Sequence, residues 1–141
     1  MDIVINYWAV LAAAAASMVI GAVWYSPGVF GTAWMRLAKV KPDSKVSTMQ
    51  MTVMYGGTFV ASLITAYVLA HVAFLSHDFF NNSFLQDALS TAFWLWLGLT
   101  AARLFVHDTF EGRRKKLTLL TVGHEFVTIM VMALIIGLLP V

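Results

Sequence analysis

An all-α integral membrane bundle is predicted by three observations. The 141-residue chain is 60% hydrophobic and 11% charged. Its mean hydropathy is +0.81. Four apolar stretches are each long enough to cross a bilayer, which takes about 20 helical residues. A soluble domain is nearer 45–50% apolar and about 25% charged, so a water-soluble fold would lack the polar surface to cover its core. In lipid every backbone donor and acceptor must be satisfied within its own segment, and long apolar runs without period-two alternation achieve this only as helices. The chain has no cysteine, which excludes disulfides, thiolate catalysis and cysteine-ligated metals. A net charge of +2 argues against a nucleic-acid partner.

The first span is expected over about Ile3–Tyr25. Ala12–Ala16 and Ser17 offer small residues of the kind a signal peptidase cuts. A signal peptide, however, has a positive n-region and a short apolar core, whereas this segment begins Met1-Asp2 and stays apolar, so a retained anchor is expected. Pro27 ends the span by disfavouring α geometry at Ser26, and Trp24 and Tyr25 suit the interfacial aromatic belt. A short amphipathic helix is expected over about residues 28–40. Phe30, Ala33, Trp34, Leu37 and Ala38 share one face and Thr32, Arg36 and Lys39 the other, a pattern for lying in the membrane interface.

Span two is expected over Ser47–Leu75 and span three over Leu85–Phe110; Ser47 with Gln50, and Ser83 with Gln86, have capping-box spacing. Asp87 adds negative charge at the start of span three. Span four is expected over Leu117–Leu139, closed by Pro140.

Charge placement predicts orientation. Arg36, Lys39, Lys41 and Lys45 lie between spans one and two, and Arg113, Arg114, Lys115 and Lys116 between spans three and four; Arg103 lies at the same end. The positive-inside rule makes these loops cytoplasmic and both termini external. The Asn81-Asn82-Ser83 sequon falls in the external loop.

Small residues at four-residue steps supply close-packing faces: Ala13, Ser17 and Gly21 in span one, Gly57 and Ala61 in span two, Gly98 and Ala102 in span three, Ala133 and Gly137 in span four. Some of these faces suit contacts between subunits, so the expected partners besides lipid are further copies of the chain or a larger membrane complex.

The intramembrane polar residues hold whatever chemistry exists. At helical spacing, Trp96, Thr100, Arg103, His107 and Glu111 form one stripe on span three. Thr118, Thr121, Glu125 and Thr128, with His124 beside them, form another on span four. An antiparallel hairpin turning near Arg113–Arg114 sets Arg103 opposite Glu125 or His124, and His107 near Thr121. A central charge costs roughly 2.5–3.5 kcal/mol on insertion scales, which predicts an Arg103–Glu125 pair. Such a pair serves equally as a register device or as part of an ion, proton or substrate route. Metal binding by His107, Asp108, His124 and Glu125 fits the ligand types but no established spacing, so neither metal nor cofactor is expected. His71 and His77 read as interfacial polar residues. Tyr55, Thr58, Ser62 and Thr65 form a milder stripe on span two, which with Asn6 and the other stripes suits a shared polar interior.

No established catalytic motif is present. His124-Glu125-Phe126-Val127-Thr128 begins like the zinc-protease His-Glu-x-x-His pattern, but Thr128 stands where the second ligand is needed. No Gly-rich phosphate loop and no Gly-x-Ser-x-Gly elbow occurs.

Asn6-Tyr7, Gly21, Trp24-Tyr25-Ser26-Pro27, Phe30-Gly31 and Trp34, followed by Glu111-Gly112-Arg113 and His124, resemble the small, mainly bacterial four-span family catalogued as domain of unknown function 1761. The resemblance runs nearly the whole chain, and Trp-Tyr-Ser-Pro-x-x-Phe-Gly is its specific part. It implies the four-span topology and no reaction, substrate or cofactor. Three functions stand as expectations. First is an oligomeric carrier or channel using Arg103, His107, His124 and Glu125 for an ion, proton or small solute. Second is an accessory subunit of a larger complex. Third, and behind these, is an enzyme acting on a lipophilic substrate.

Overall fold

The computed structural model describes residues 3–40 and 46–140. The expectations placed on Asp2, Lys41 and Lys45 lie outside the described residues. Every regular element among those residues is helical: α1 (Tyr7–Trp24), α2 (Gly31–Ala38), α3 (Thr48–Phe80), α4 (Phe84–Leu95), a π-helical turn (Trp96–Ala101), α5 (Ala102–Phe110) and α6 (Lys115–Leu138). The α4, π-turn and α5 segments run on as one helix, Phe84–Phe110, so four helices are long and apolar enough to span a membrane. They pack in a ring in chain order, α1 against α3, α3 against α4, α4 against α6 and α6 against α1.

Capping sets most boundaries. Asn6 accepts from the N–H groups of Trp8 (3.0 Å) and Ala9 (3.2 Å), which starts α1 four residues later than expected. The Asn6 side chain also donates to Leu139 O (3.2 Å), tying the two chain ends together. Ser47 and Gln50 form a full capping box, whereas Ser83 only accepts from the Gln86 N–H. Past Leu75, α3 continues to Phe80 and stops at Asn81, whose left-handed backbone (φ 56°) lets its N–H close on His77 O. With 33 residues, α3 is about 50 Å long, well beyond a hydrocarbon core of about 30 Å.

The turn from α1 into α2 is built by the specific Trp-Tyr-Ser-Pro segment. The Phe30 N–H donates to Trp24 O (3.0 Å), while Val29 and Gly31 both donate to Ser26 O (3.1 and 2.9 Å). Gly31 is buried, and a Cβ there would overlap the Tyr25 carbonyl oxygen and press on the Ser26 backbone. Neighbouring backbone cannot yield as a flexible side chain would. Gly31→Ala is therefore expected to detach α2, seen as greater protease access to residues 28–40 with the helical content of the four spans intact. Aromatic contacts hold the turn from outside, Trp24 on Phe30 (4.6 Å) and Tyr25 on Trp34 (5.6 Å).

The buried core lies in the half of the bundle holding the 81–83 turn and the chain ends. Ala9, Val10 and Ala13 meet Ala66, Leu69, Ala70 and Ala73, with Ala88, Ala92, Met132, Ala133 and Ile136 completing the layer. Alanine dominates because lipid offers no hydrophobic drive between helices, so attraction comes from backbones approaching closely over small side chains. Ala13, Ser17, Ala133 and Gly137 are buried, as their small-residue spacing predicts. Gly57 and Gly98 have nothing within 4 Å of where a Cβ would stand, and Ala61 and Ala102 are exposed. Those two faces take no part in packing within the chain.

At the opposite end Arg36, Lys39 and Arg113–Lys116 gather beside α2; this is the basic end. Residues 48–58 of α3 are exposed throughout, so α3 splays away from α1 and α6 at this end.

Candidate functional site

The splaying opens a cavity of about 640 Å³ between α1, α3 and α6. All four members of the α3 stripe, Tyr55, Thr58, Ser62 and Thr65, line it. From α6 come His124, Glu125, Thr128 and Met132, and from α1 come Ser17, Met18, Gly21, Ala22 and Tyr25. The volume falls within the range of small-molecule sites, about 300–1,000 Å³.

The polar lining is biased toward accepting hydrogen bonds. Ser17, Thr58 and Thr65 each donate their hydroxyl proton to a carbonyl of their own helix, Ala14 O (2.7 Å), Met54 O (2.7 Å) and Ala61 O (3.0 Å). Their oxygens are left as acceptors. Among the described residues, Glu125 is the only acid in the lining, and neither lysine nor arginine joins it. Its carboxylate is half-exposed and lies 3.4 Å from His124 Nδ1. The His124 ring is wedged against the end of α1, 5.1 Å from Tyr25 and 5.8 Å from Trp24. Its Nε2 sits over Gly21, 3.7 Å from the position of an added Cβ. Among the described residues, buried His124 Nε2 and Thr128 Oγ1 have no hydrogen-bond partner. Unpartnered polar atoms cost free energy in a low dielectric, so their presence at a cavity wall marks a place where a ligand atom gains by docking.

The expected Arg103–Glu125 pair does not form. Arg103 and His107 are exposed, neither reaches the cavity, and the ion contacts among the described residues are His77–Asp87, Arg113–Asp108 and His124–Glu125. The π turn is the physical reason. Its wider coil, seen in the Ala102 N–H bonding Leu97 O, inserts one residue into the helix. Trp96, the first residue of the turn, faces α6 as predicted, donating from Nε1 to Val122 O (3.1 Å) and packing on Phe126. Beyond the turn every position moves by one, so Leu104 and Asp108 occupy the faces expected for Arg103 and His107. Arg103 lies seven residues from the end of α5, about 10 Å along the axis, within reach of snorkelling to the interface. The energetic premise for the pair therefore lapses.

Asp108, 4% exposed, is the residue this shift brings inward. It accepts from Thr118 Oγ1 (2.5 Å) and pairs with Arg113 (3.3 Å), closing the α5–α6 turn. Asp108→Ala leaves Thr118 unpartnered and is expected to cost about 1–3 kcal/mol, measurable as a lowered melting temperature in detergent. At the far end Asp87 is likewise buried, accepting from Asn82 Nδ2 (3.0 Å) and lying 3.3 Å from His77 Nδ1. His77 thus helps close the α3–α4 turn instead of standing alone at an interface. His71 stays on its own helix, against Tyr67 (4.3 Å). The sequence reading did not place Ser17 and Tyr25 at the cavity; their signal is the four-residue step Ser17, Gly21, Tyr25, which continues a polar edge down α1.

Residues 8–137 match the family described as protein of unknown function, DUF1761. The chain belongs to the DUF1761 family. Comparison with curated proteins and with solved structures gives no match. The match covers the four spans except for Tyr7 and Leu138, and it covers the buried Gly31 turn, so both belong to the part of this DUF1761 protein that carries its family likeness.

Proposed function

We propose that this DUF1761 protein is a carrier of small organic cations, with the α1–α3–α6 cavity as its binding site and Glu125 as the counter-charge. The observation that carries the reading is the lining, which among the described residues holds one carboxylate, hydroxyl oxygens left as acceptors, two tyrosine rings, and neither lysine nor arginine. A protonated or quaternary amine satisfies all of these, because the ring faces of Tyr25 and Tyr55 attract cations and the carboxylate balances the charge. Arg103 and His107 have no part in this reading. His124 positions Glu125 and buttresses α1. By the positive-inside rule the basic end faces the cytoplasm of a bacterial inner membrane, which makes the cavity mouth cytoplasmic.

Purified protein in liposomes tests this with radiolabelled choline and tetraethylammonium as probes and benzoate as the anionic control. Protein-dependent cation uptake driven by an inside-negative potential is the expected result. No protein-dependent flux of any cation, or a preference for benzoate, overturns it.

A second reading, as a subunit of a homo-oligomer or larger complex, is favoured by the unpartnered face of α3 around Gly56 and Gly57. Gentle solubilisation tests it: a species containing one copy of this chain alone removes the support.

A further inference from the structure

A second cleft, of about 620 Å³, lies between α2 and α6 at the basic end, separate from the cavity lined by Glu125. Its lining sorts by chemistry. Arg36 and Lys116 contribute cations, one from each helix, while Phe30, Leu37, Leu119 and Leu120 contribute apolar surface. We propose that this cleft binds one anionic phospholipid, its phosphate held between Arg36 and Lys116 and an acyl chain laid along the apolar wall of α6.

Three observations converge on that occupant. First, the two cations come from different elements and open on one groove, a geometry suited to a single anionic group. Second, the start of α6 reinforces them: Lys116 stands in its first turn and Arg114 at the N-cap supplies no side-chain hydrogen bond, so the positive end of the helix is not neutralised by its own cap. Third, a soluble phosphate compound would meet a long apolar wall with nothing to place on it, whereas a lipid brings both chemistries at this depth. Leu119 is 70% exposed, an arrangement natural to a wall that an acyl chain covers. The base of the cleft is kept open by Gly123, where a Cβ would already touch the Trp24 ring at 3.5 Å. The apolar side of α2 then acts as one wall of a lipid site as well as an anchor.

Native mass spectrometry of the detergent-purified full chain, titrated with phosphatidylglycerol or phosphatidylcholine, tests the proposal. The wild type is expected to retain one phosphatidylglycerol at least tenfold more tightly than phosphatidylcholine. The Arg36→Gln/Lys116→Gln double variant is expected to lose that preference, while Lys39→Gln/Arg103→Gln, with the same loss of charge at residues outside the cleft, keeps it. Equal loss in both double variants would reduce the effect to general surface charge and overturn the site, as would a wild type without headgroup preference. Glycerol 3-phosphate is expected not to displace the lipid at millimolar concentration; displacement would assign the site to a free phosphate compound and overturn the lipid. Should the Gln pair unfold, Arg36→Lys/Lys116→Arg keeps the charges and is expected to retain the preference; its loss in that variant, with folding intact, also counts against the site.

Discussion

Glu125→Gln is expected to lower organic-cation uptake in proteoliposomes by roughly ten- to hundredfold while the melting temperature stays at the wild-type value. The size follows from the counter-charge alone. A hydrogen bond to a charged group contributes about 1.5–3 kcal/mol, and each 1.4 kcal/mol is a factor of ten. Stability is spared because the carboxylate is half-exposed to the cavity and meets only His124, from the adjacent position on the same helix. Glutamine keeps the shape and loses the charge, so a fall in uptake separates electrostatics from packing. Arg103→Gln is the matched control and is expected to carry at the wild-type rate, since its side chain lies away from the cavity. If Arg103→Gln stops uptake while Glu125→Gln does not, the cavity is not the route.

Gly137→Leu is expected to destabilise the four-helix bundle markedly. A bare Cβ at this position would lie 2.8 Å from both Leu85 Cα and Leu85 Cδ1, and 3.4 Å from the Ala88 Cβ. One of the two closest atoms is backbone, so relief requires α4 and α6 to separate along the alanine layer. Overpacking of this kind costs typically about 1–3 kcal/mol and occasionally more. Thermal unfolding in mild detergent, followed by circular dichroism, reads it directly. Gly57→Leu is the comparison, because nothing stands within 4 Å of a Cβ there. That variant should melt with the wild type, and equal destabilisation by both would contradict the helix order of the bundle.

The features legible in the sequence were those set by local chemistry. Ser47 and Gln50 announce a helix start because their side chains reach one another's backbone. Pro27 marks the end of α1 for an equally local reason. The stripe Tyr55, Thr58, Ser62, Thr65 was readable because α3 is regular through it, and all four residues meet the cavity. The stripe on the third span failed because it assumed an unbroken 3.6-residue period through Gly98. One inserted residue turns everything beyond it by about 100°, which sends Arg103 and His107 outward and brings Asp108 in. No composition or spacing rule applied to a single sequence marks that insertion, since Trp96–Ala101 is as apolar as a regular turn of helix. Asp87 and Asp108 are visible in the sequence as a helix-start charge and a possible ligand, but their burial is not, because their partners Asn82 and Thr118 come to them only once the two turns fold.

The alanine layer also bears on the proposed carriage of cations. Around Ala13, Ala70 and Ala133 the bundle interior is filled by methyl groups, with almost nothing there to replace a hydration shell. A hydrophilic molecule resting beside Glu125 would face a dewetted plug ahead of it and open water behind. Complete traversal then depends on the helices parting at their tightest seam, so the rate of that opening, more than the affinity below it, would limit turnover.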